Sequence, residues 1–213
     1  MIHKNGVVSA NHNNDELYTT IETAEQVVSY YENDLQKYDI VLMPFNSKGS
    51  KFEQVLLDYG FNVVAFDTDF FTQDFSQYDN AVVFDNPPFS KFGKILKRVN
   101  DLGFDYYLFG NSMSLFHHLR RDYVTGINQV GRIKFDNAEK GVNVSIYTNT
   151  NNDIINTFNH TKSKKHVELI DGVVYSSGQV ISRLENGQSF KKENFFNYTS
   201  GKFGGGMEFR KLN

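Results

Sequence analysis

A chain of 213 residues with 39% apolar side chains, 20 Phe and 12 Tyr can bury one sizeable core, which excludes wholesale disorder and leads us to expect one domain with a small appendage. It has no cysteine, so a disulfide framework, a thiolate nucleophile and a thiolate metal site are all excluded, and its six histidines show no metal-ligand spacing. The net charge of −3 hides an asymmetry that hints at a nucleic-acid face: residues 1–118 hold 8 Lys+Arg against 16 Asp+Glu, and residues 119–213 hold 14 against 9.

Residues 1–17 are polar and asparagine-rich and read as a loose arm. Thr20 or Thr23 can cap a helix through about Tyr31. Asp39 to Met43 is a short apolar run stopped by Pro44, a buried strand; a helix from about Ser50 to Tyr59 follows, stopped by Gly60. Asn62 to Phe66 and Asn80 to Phe84 read as a second and third strand, a helix from about Lys91 to Leu102 comes next, and Tyr106 to Gly110 reads as a fourth strand. Strands alternating with helices at this spacing predict a parallel, doubly wound α/β sheet. Beyond residue 120 the period changes to two. Ile133-Lys134-Phe135 and Val142 to Tyr147 read as antiparallel edge strands of the same sheet, and the short runs of residues 150–213 (Val167 to Ile170, Val173 to Tyr175, Val180-Ile181) as an irregular, β-rich appendage. Gly204-Gly205-Gly206 reads as a flexible turn, since no helix follows to make it a phosphate loop. With no apolar run of membrane-spanning length and no signal-peptide pattern, a cytoplasmic protein that binds neither membrane nor metal is expected.

The run Asp85-Asn86-Pro87-Pro88-Phe89-Ser90 carries the chemistry. It follows the apolar Ala81 to Phe84, and it holds two of the chain's three prolines. Each proline fixes φ and removes a donor, and the residue before a proline is pushed from the helical region. Asn86 therefore sits on a stiff backbone with carbonyl acceptors around it, and Phe89 offers a flat apolar face. An acceptor cluster beside a ring suits an exocyclic amine on a planar heterocycle. An ordinary turn is the bland alternative for four residues taken alone. Ligands of open α/β sheets bind at the carboxyl ends of the strands, and three groups stand there: Pro44 to Gly49, Asp67 with Asp69, and Asn86 to Phe89. A carboxylate ending a second strand about 20 residues past the first loop is placed to accept from two ribose hydroxyls, which suits Asp67. Asp69-Phe70 can bind an adenine ring, the acid accepting from its amine while the ring stacks. Strand-end aspartates are also ordinary turn formers.

The order and spacing of these groups, chiefly the run from Val63 to Ser90, resemble the S-adenosylmethionine-dependent N6-adenine DNA methyltransferases, and among them the phage-type and EcoRI-type modification methylases. The likeness covers roughly residues 15–150 and implies a Rossmann-like methyltransferase domain over residues 18–149, with residues 150–213 as a target-recognition region. By that resemblance Tyr18-Thr19-Thr20 corresponds to the upstream Tyr-Thr-Pro element beside the cofactor's methionine, without its proline. Pro44, Phe45, Asn46 and Ser47, with Ser50 and Phe52, correspond to the first cofactor loop, which keeps only Gly49 of a glycine-rich pattern. The implied cofactor contacts are Thr19, Pro44, Phe45, Asn46, Ser47, Asp67, Asp69, Phe70 and Asn86, and the implied catalytic group is Asn86, Pro87, Pro88 and Phe89. Duplex DNA with its target adenine flipped out is the expected partner, held by Arg120, Arg121, Arg132, Lys134, Lys164 and Lys165. A methyltransferase acting on RNA or a protein glutamine amide, and a non-catalytic phage or mobile-element protein of the same fold, stay open.

Overall fold

The computed structural model describes residues 17–45, 47–150, 154–157, 168–200 and 205–212. Helix α1 (Ile21–Leu35) starts where the Thr20 hydroxyl accepts from the Thr23 N–H, and it buries Ala24, Val27, Val28, Tyr31 and Leu35, one stripe at helical spacing. Strand β1 (Ile40–Met43) leads to α2 (Lys51–Asp58), capped by Ser50, and then to β2 (Val63–Ala65). Strand β3 (Ala81–Asp85) is followed by one 3₁₀ turn at Phe89–Lys91 and by α3 (Phe92–Asp101); β4 (Asp105–Asn111) and the short α4 (Leu115–Leu119) come next. The remaining elements are β5 (Gly126–Ile133), β6 (Val142–Thr148), β7 (Ile154–Thr157), β8 (Val174–Ser176), α5 (Ser177–Glu185), β9 (Phe190–Lys191), β10 (Phe195–Thr199) and β11 (Gly206–Phe209).

The protein is a mixed α/β fold built on an eight-stranded sheet in the order β2-β1-β3-β4-β6-β5-β7-β9, with a separate three-stranded antiparallel sheet in the order β10-β11-β8. Strands β2, β1, β3 and β4 are parallel, and β6 runs against both β4 and β5. Alternation along each buried strand feeds two cores: in β3, Val82 and Phe84 face α1 and α2, whereas Ala81 and Val83 face α3 and α4. The chain steps from β1 outward to β2, then returns to place β3 on β1's other side. That reversal opens a crevice at the carboxyl ends of β1 and β3, where a ligand site belongs in such a sheet.

The second half departs from the sequence reading in three ways. First, β6 is an interior strand, not an edge, and its partner begins at Gly126, seven residues before the expected Ile133. Its start carries Asn128 and Gln129, both buried, and a bulge between Gln129 and Gly131 breaks the alternation that a period-two reading needs; Gly131 supplies a φ of +107° there. Second, Val180-Ile181 lies in a helix: the Ser176 N–H donates to Gln179 Oε1 at 2.8 Å, opening α5 with a capping box, and Val180, Ile181 and Leu184 face inward. Third, the described residues beyond 150 divide: β8, β10 and β11 form the small antiparallel sheet of the expected β-rich appendage, and the rest join the main body. Strands β7 and β9 extend the main sheet, and Tyr175, Val180, Phe195, Met207 and Phe209 share the core of α3 and α4.

Candidate active site

Asp85, the last residue of β3, organises the crevice. It is 1% exposed and accepts from the Phe45 N–H at 3.0 Å, the Ser47 hydroxyl at 2.6 Å and the Asn86 N–H at 2.7 Å, so one carboxylate ties the loop after β1 to the loop after β3. Burial pushes its carboxyl up to about 6, against the pull of the three donors in the other direction. Within the run that carries the chemistry, sequence alone gives a role to Asn86 and none to Asp85; the available signal is an acid closing an apolar run just before a proline turn.

Asn86 is fixed from its other side. Its Nδ2 donates to the Leu17 carbonyl at 2.5 Å and to the Thr19 hydroxyl at 3.3 Å, which sets the amide's orientation. Its Oδ1 is buried and has no hydrogen-bond partner among the described residues. The strap Leu17–Thr19 is itself anchored: Thr19 bridges Phe135, the Tyr18 N–H donates to Asn137 Oδ1 at 3.0 Å, and the Asp136 N–H donates to the Tyr18 carbonyl at 2.9 Å. A cavity of about 440 Å³ opens here, lined among others by Tyr18, Thr19, Phe45, Ser47, Asp85, Asn86, Pro88 and Asp136. Lys51 Nζ meets Asp136 Oδ2 at 2.8 Å on its wall.

A second cavity of about 300 Å³ lies on the β2 side, lined by Pro44, Phe45, Asp67, Thr68, Asp69, Phe70, Phe71, Pro88, Lys91 and Ile95. Phe45 and Pro88 line both cavities. Asp67 is exposed, with Lys48 Nζ at 3.8 Å, and Asp69 accepts from the Phe71 N–H at 3.2 Å to cap a 3₁₀ turn. Phe70 is 4% exposed, packed edge-on to Phe45 at 4.9 Å with the Arg98 guanidinium 5.3 Å from its ring centre, whereas Phe71 beside it is 37% exposed. Phe71 is thus the freer ring at this cavity, and the sequence reading did not single it out.

The structure brings together Thr19, Pro44, Phe45, Ser47, Asp67, Asp69, Phe70, Asn86 and Pro88 as lining of the two cavities. Pro87 is buried, and Phe89 is half-buried against the core under α1 and α2. Asn46, Lys164 and Lys165 lie outside the described residues. Arg132 and Lys134 are exposed at the carboxyl end of β5, on the strand side that holds Asn86. Arg120 donates to the His117 carbonyl and covers the Tyr198 ring at 4.9 Å, and Arg121 donates to the Tyr123 hydroxyl at 2.6 Å, so both guanidiniums have internal work. His118, wedged edge-on against Phe92 and Tyr147, is pushed down to about 3, chiefly by burial and then by His117, Arg121 and Arg120, and is a neutral packing residue. Among the described residues there is no His/Asp/Glu group that could hold a metal and no helix long and apolar enough to cross a membrane.

No protein-family model and no curated protein matches the chain at the level of sequence. Among solved structures it is similar to a dimethyladenosine transferase from Plasmodium falciparum, at 14% identity and a TM-score of 0.44 over 62% of this chain and 62% of that one. It is similar to a type I restriction-modification methyltransferase subunit from Streptococcus thermophilus at 12% identity and a TM-score of 0.39, over 70% of this chain and 49% of that one. A third similarity is to the modification subunit of a type I restriction enzyme from Vibrio vulnificus, at 11% identity and a TM-score of 0.46, over 94% of this chain and 60% of that one. The chain spans less than two thirds of the length of each of these.

Proposed function

We propose that the protein transfers a methyl group from S-adenosylmethionine to the exocyclic N6 amine of adenine in DNA. The observation that carries this reading is the Asn86 amide: its donors are spent on Leu17 and Thr19, which leaves Oδ1 as a buried, unpartnered acceptor at the switch point. A buried acceptor without a donor costs about 1–3 kcal/mol, and an incoming N–H group recovers it. The two cavities fit the cofactor in kind. Asp67 suits the ribose hydroxyls, Asp69 with Phe70 and Phe71 suits the adenine ring, and Thr19, Pro44, Phe45 and Ser47 suit the methionine end. When bound, the cofactor supplies an electrophilic methyl group on a sulfonium.

The chain's own residues then do the rest. An aryl amine is a poor nucleophile because its lone pair is delocalised into the ring. Asn86 Oδ1 and the Pro87 carbonyl, accepting from its two N–H bonds, draw the nitrogen toward tetrahedral geometry and localise the lone pair. This is electrostatic preorganisation plus proximity, and no titrating base is required. The nitrogen's lone pair forms the new N–C bond as the methyl–sulfur bond breaks, that pair returning to sulfur to leave a neutral thioether, and the nitrogen, now cationic, gives its extra proton to water. Since a duplex buries that amine, the base must leave the stack.

The test is tritiated methyl transfer from S-adenosylmethionine to duplex DNA, structured RNA and a glutamine-containing peptide, with cofactor affinity by calorimetry. Transfer to DNA alone is expected. Asn86→Ala should lower it by roughly 10²–10³-fold or more, as for loss of one preorganised partner, with cofactor affinity changed only a few-fold. Full activity in Asn86→Ala would remove the assignment, and transfer to RNA or peptide instead would redirect it.

A further inference from the structure

We infer that Tyr18 is the ring on which the extruded base stacks, a part that the sequence assigns to Phe89; the inference rests on the nucleobase-methyltransferase reading above. Phe89 lies in the 3₁₀ turn after the prolines, half-buried against the core under α1 and α2, and it is not among the residues that line the cavity containing Asn86. Tyr18 does line that cavity, and at 58% it is the most exposed aromatic side chain among the described residues.

Its backbone is held on every side. The N–H donates to Asn137, the C=O accepts from Asp136, the Leu17 carbonyl and Thr19 hydroxyl receive the Asn86 amide, and Thr19 pairs with Phe135. A large ring left in water on a rigid backbone gains from any flat partner that covers it. Because the strap carrying Tyr18 receives the Asn86 side chain, the ring and the unpartnered Oδ1 belong to one rigid unit: one would hold the face of a planar base while the other takes its amine. Lys51 and Asp136 close the same wall with a paired charge; of the aromatic rings that line the cavity, Phe52 is buried and Phe45 is half-buried against Phe70, which leaves Tyr18 the most exposed.

The chain has no tryptophan, so Tyr18→Trp places the sole indole of the protein at this rim. With the full chain and saturating S-adenosylmethionine, duplex DNA of mixed sequence should quench that indole, whereas protein without DNA should not show the change. Tyr18→Ala should lower kcat/KM for DNA methylation by roughly 5- to 150-fold, the range of one lost base–aromatic stack. Tyr18→Phe should retain wild-type rates, and cofactor affinity should stay the same in all three variants. Phe89→Ala should lower the Tm more than Tyr18→Ala does, as a packing residue would. Unquenched indole, or a Tyr18→Ala variant that methylates DNA like wild type, would overturn the assignment of Tyr18 alone. Wild-type protein that binds no S-adenosylmethionine and methylates nothing would overturn the broader reading, and this one with it.

Discussion

Asp85 and Asp67 both stand at the carboxyl edge of the sheet, and their surroundings are opposite. Asp85 accepts from two loops and is sealed from water, whereas Asp67 faces solvent with its nearest cation 3.8 Å away. The difference teaches that one half of the crevice is fixed before any ligand arrives. The other half presents the exposed carboxylate of Asp67, open to water. A reaction that depends on aiming one acceptor needs the first kind of construction; reversible holding of a cofactor is served by the second.

The contrast breaks most readily at Asp85. Asp85→Ala strips the acceptor from three donors and should cost about 2–4 kcal/mol of stability, read by urea unfolding, as each buried unsatisfied donor costs about 1–3 kcal/mol and the removed charge offsets part of it. Asp85→Asn should also change the pH dependence. Because the folded-state value is raised from 3.8 to about 6, this group's contribution to stability is fully present below pH about 4 and is lost as pH rises through about 6. A side chain that cannot ionise lacks that loss, so the variant should gain on wild type by on the order of 3 kcal/mol between pH 4 and 7. Parallel curves would mean that Asp85 is not a buried, ionising group.

Asp67→Ala sharpens the comparison from the other side. Stability should move by less than about 0.5 kcal/mol, as is usual for an exposed side chain, while S-adenosylmethionine binding weakens about tenfold. A stability loss equal to that of Asp85→Ala would erase the distinction between the two halves. Unchanged affinity would place the ribose elsewhere.

The smallest effect belongs to the rim. Neutralising Arg132 and Lys134 should weaken DNA binding across all sequences and flatten the slope of log affinity against log salt by about 0.9 per lost phosphate contact. Cofactor affinity should not move. A salt titration with an unchanged slope would shift the nucleic-acid face away from the carboxyl end of β5.

The half of the fold that holds the crevice was legible because buried parallel strands are continuous apolar runs and its helices carry strong stops, as at Gly60 and Gly103. Of the two threonines that the sequence offers, Thr20 caps α1, and Ser50, where the second helix is expected to begin, caps α2. Strand β5 was hidden because its interior faces a polar cluster: Asn128 donates to the Tyr31 hydroxyl, and Gln129 accepts from Ser145. Helix α5 was hidden because nine residues beginning Ser-Gly-Gln carry only three inward apolar side chains. In the site, residue types were readable and burial was not. Asn86 and Asp67 could be named from strand ends, whereas the sinking of Phe70, the exposure of Phe71 and the knot at Asp85 follow from packing between loops far apart in sequence.

The pairing of the Leu17–Thr19 strap with Phe135–Asn137 spans 119 residues at the Tyr18–Asn137 contact. On a ribosome adding roughly 5–20 residues per second, the strap waits on the order of ten seconds before its docking ledge exists. Among the described residues the first segment made is therefore seated only after β5 has emerged, and Asn86 stands without its two acceptors until then. A nascent chain can build β1 to β4 and still lack a finished candidate site, because the ledge that seats the strap follows β5 in the chain.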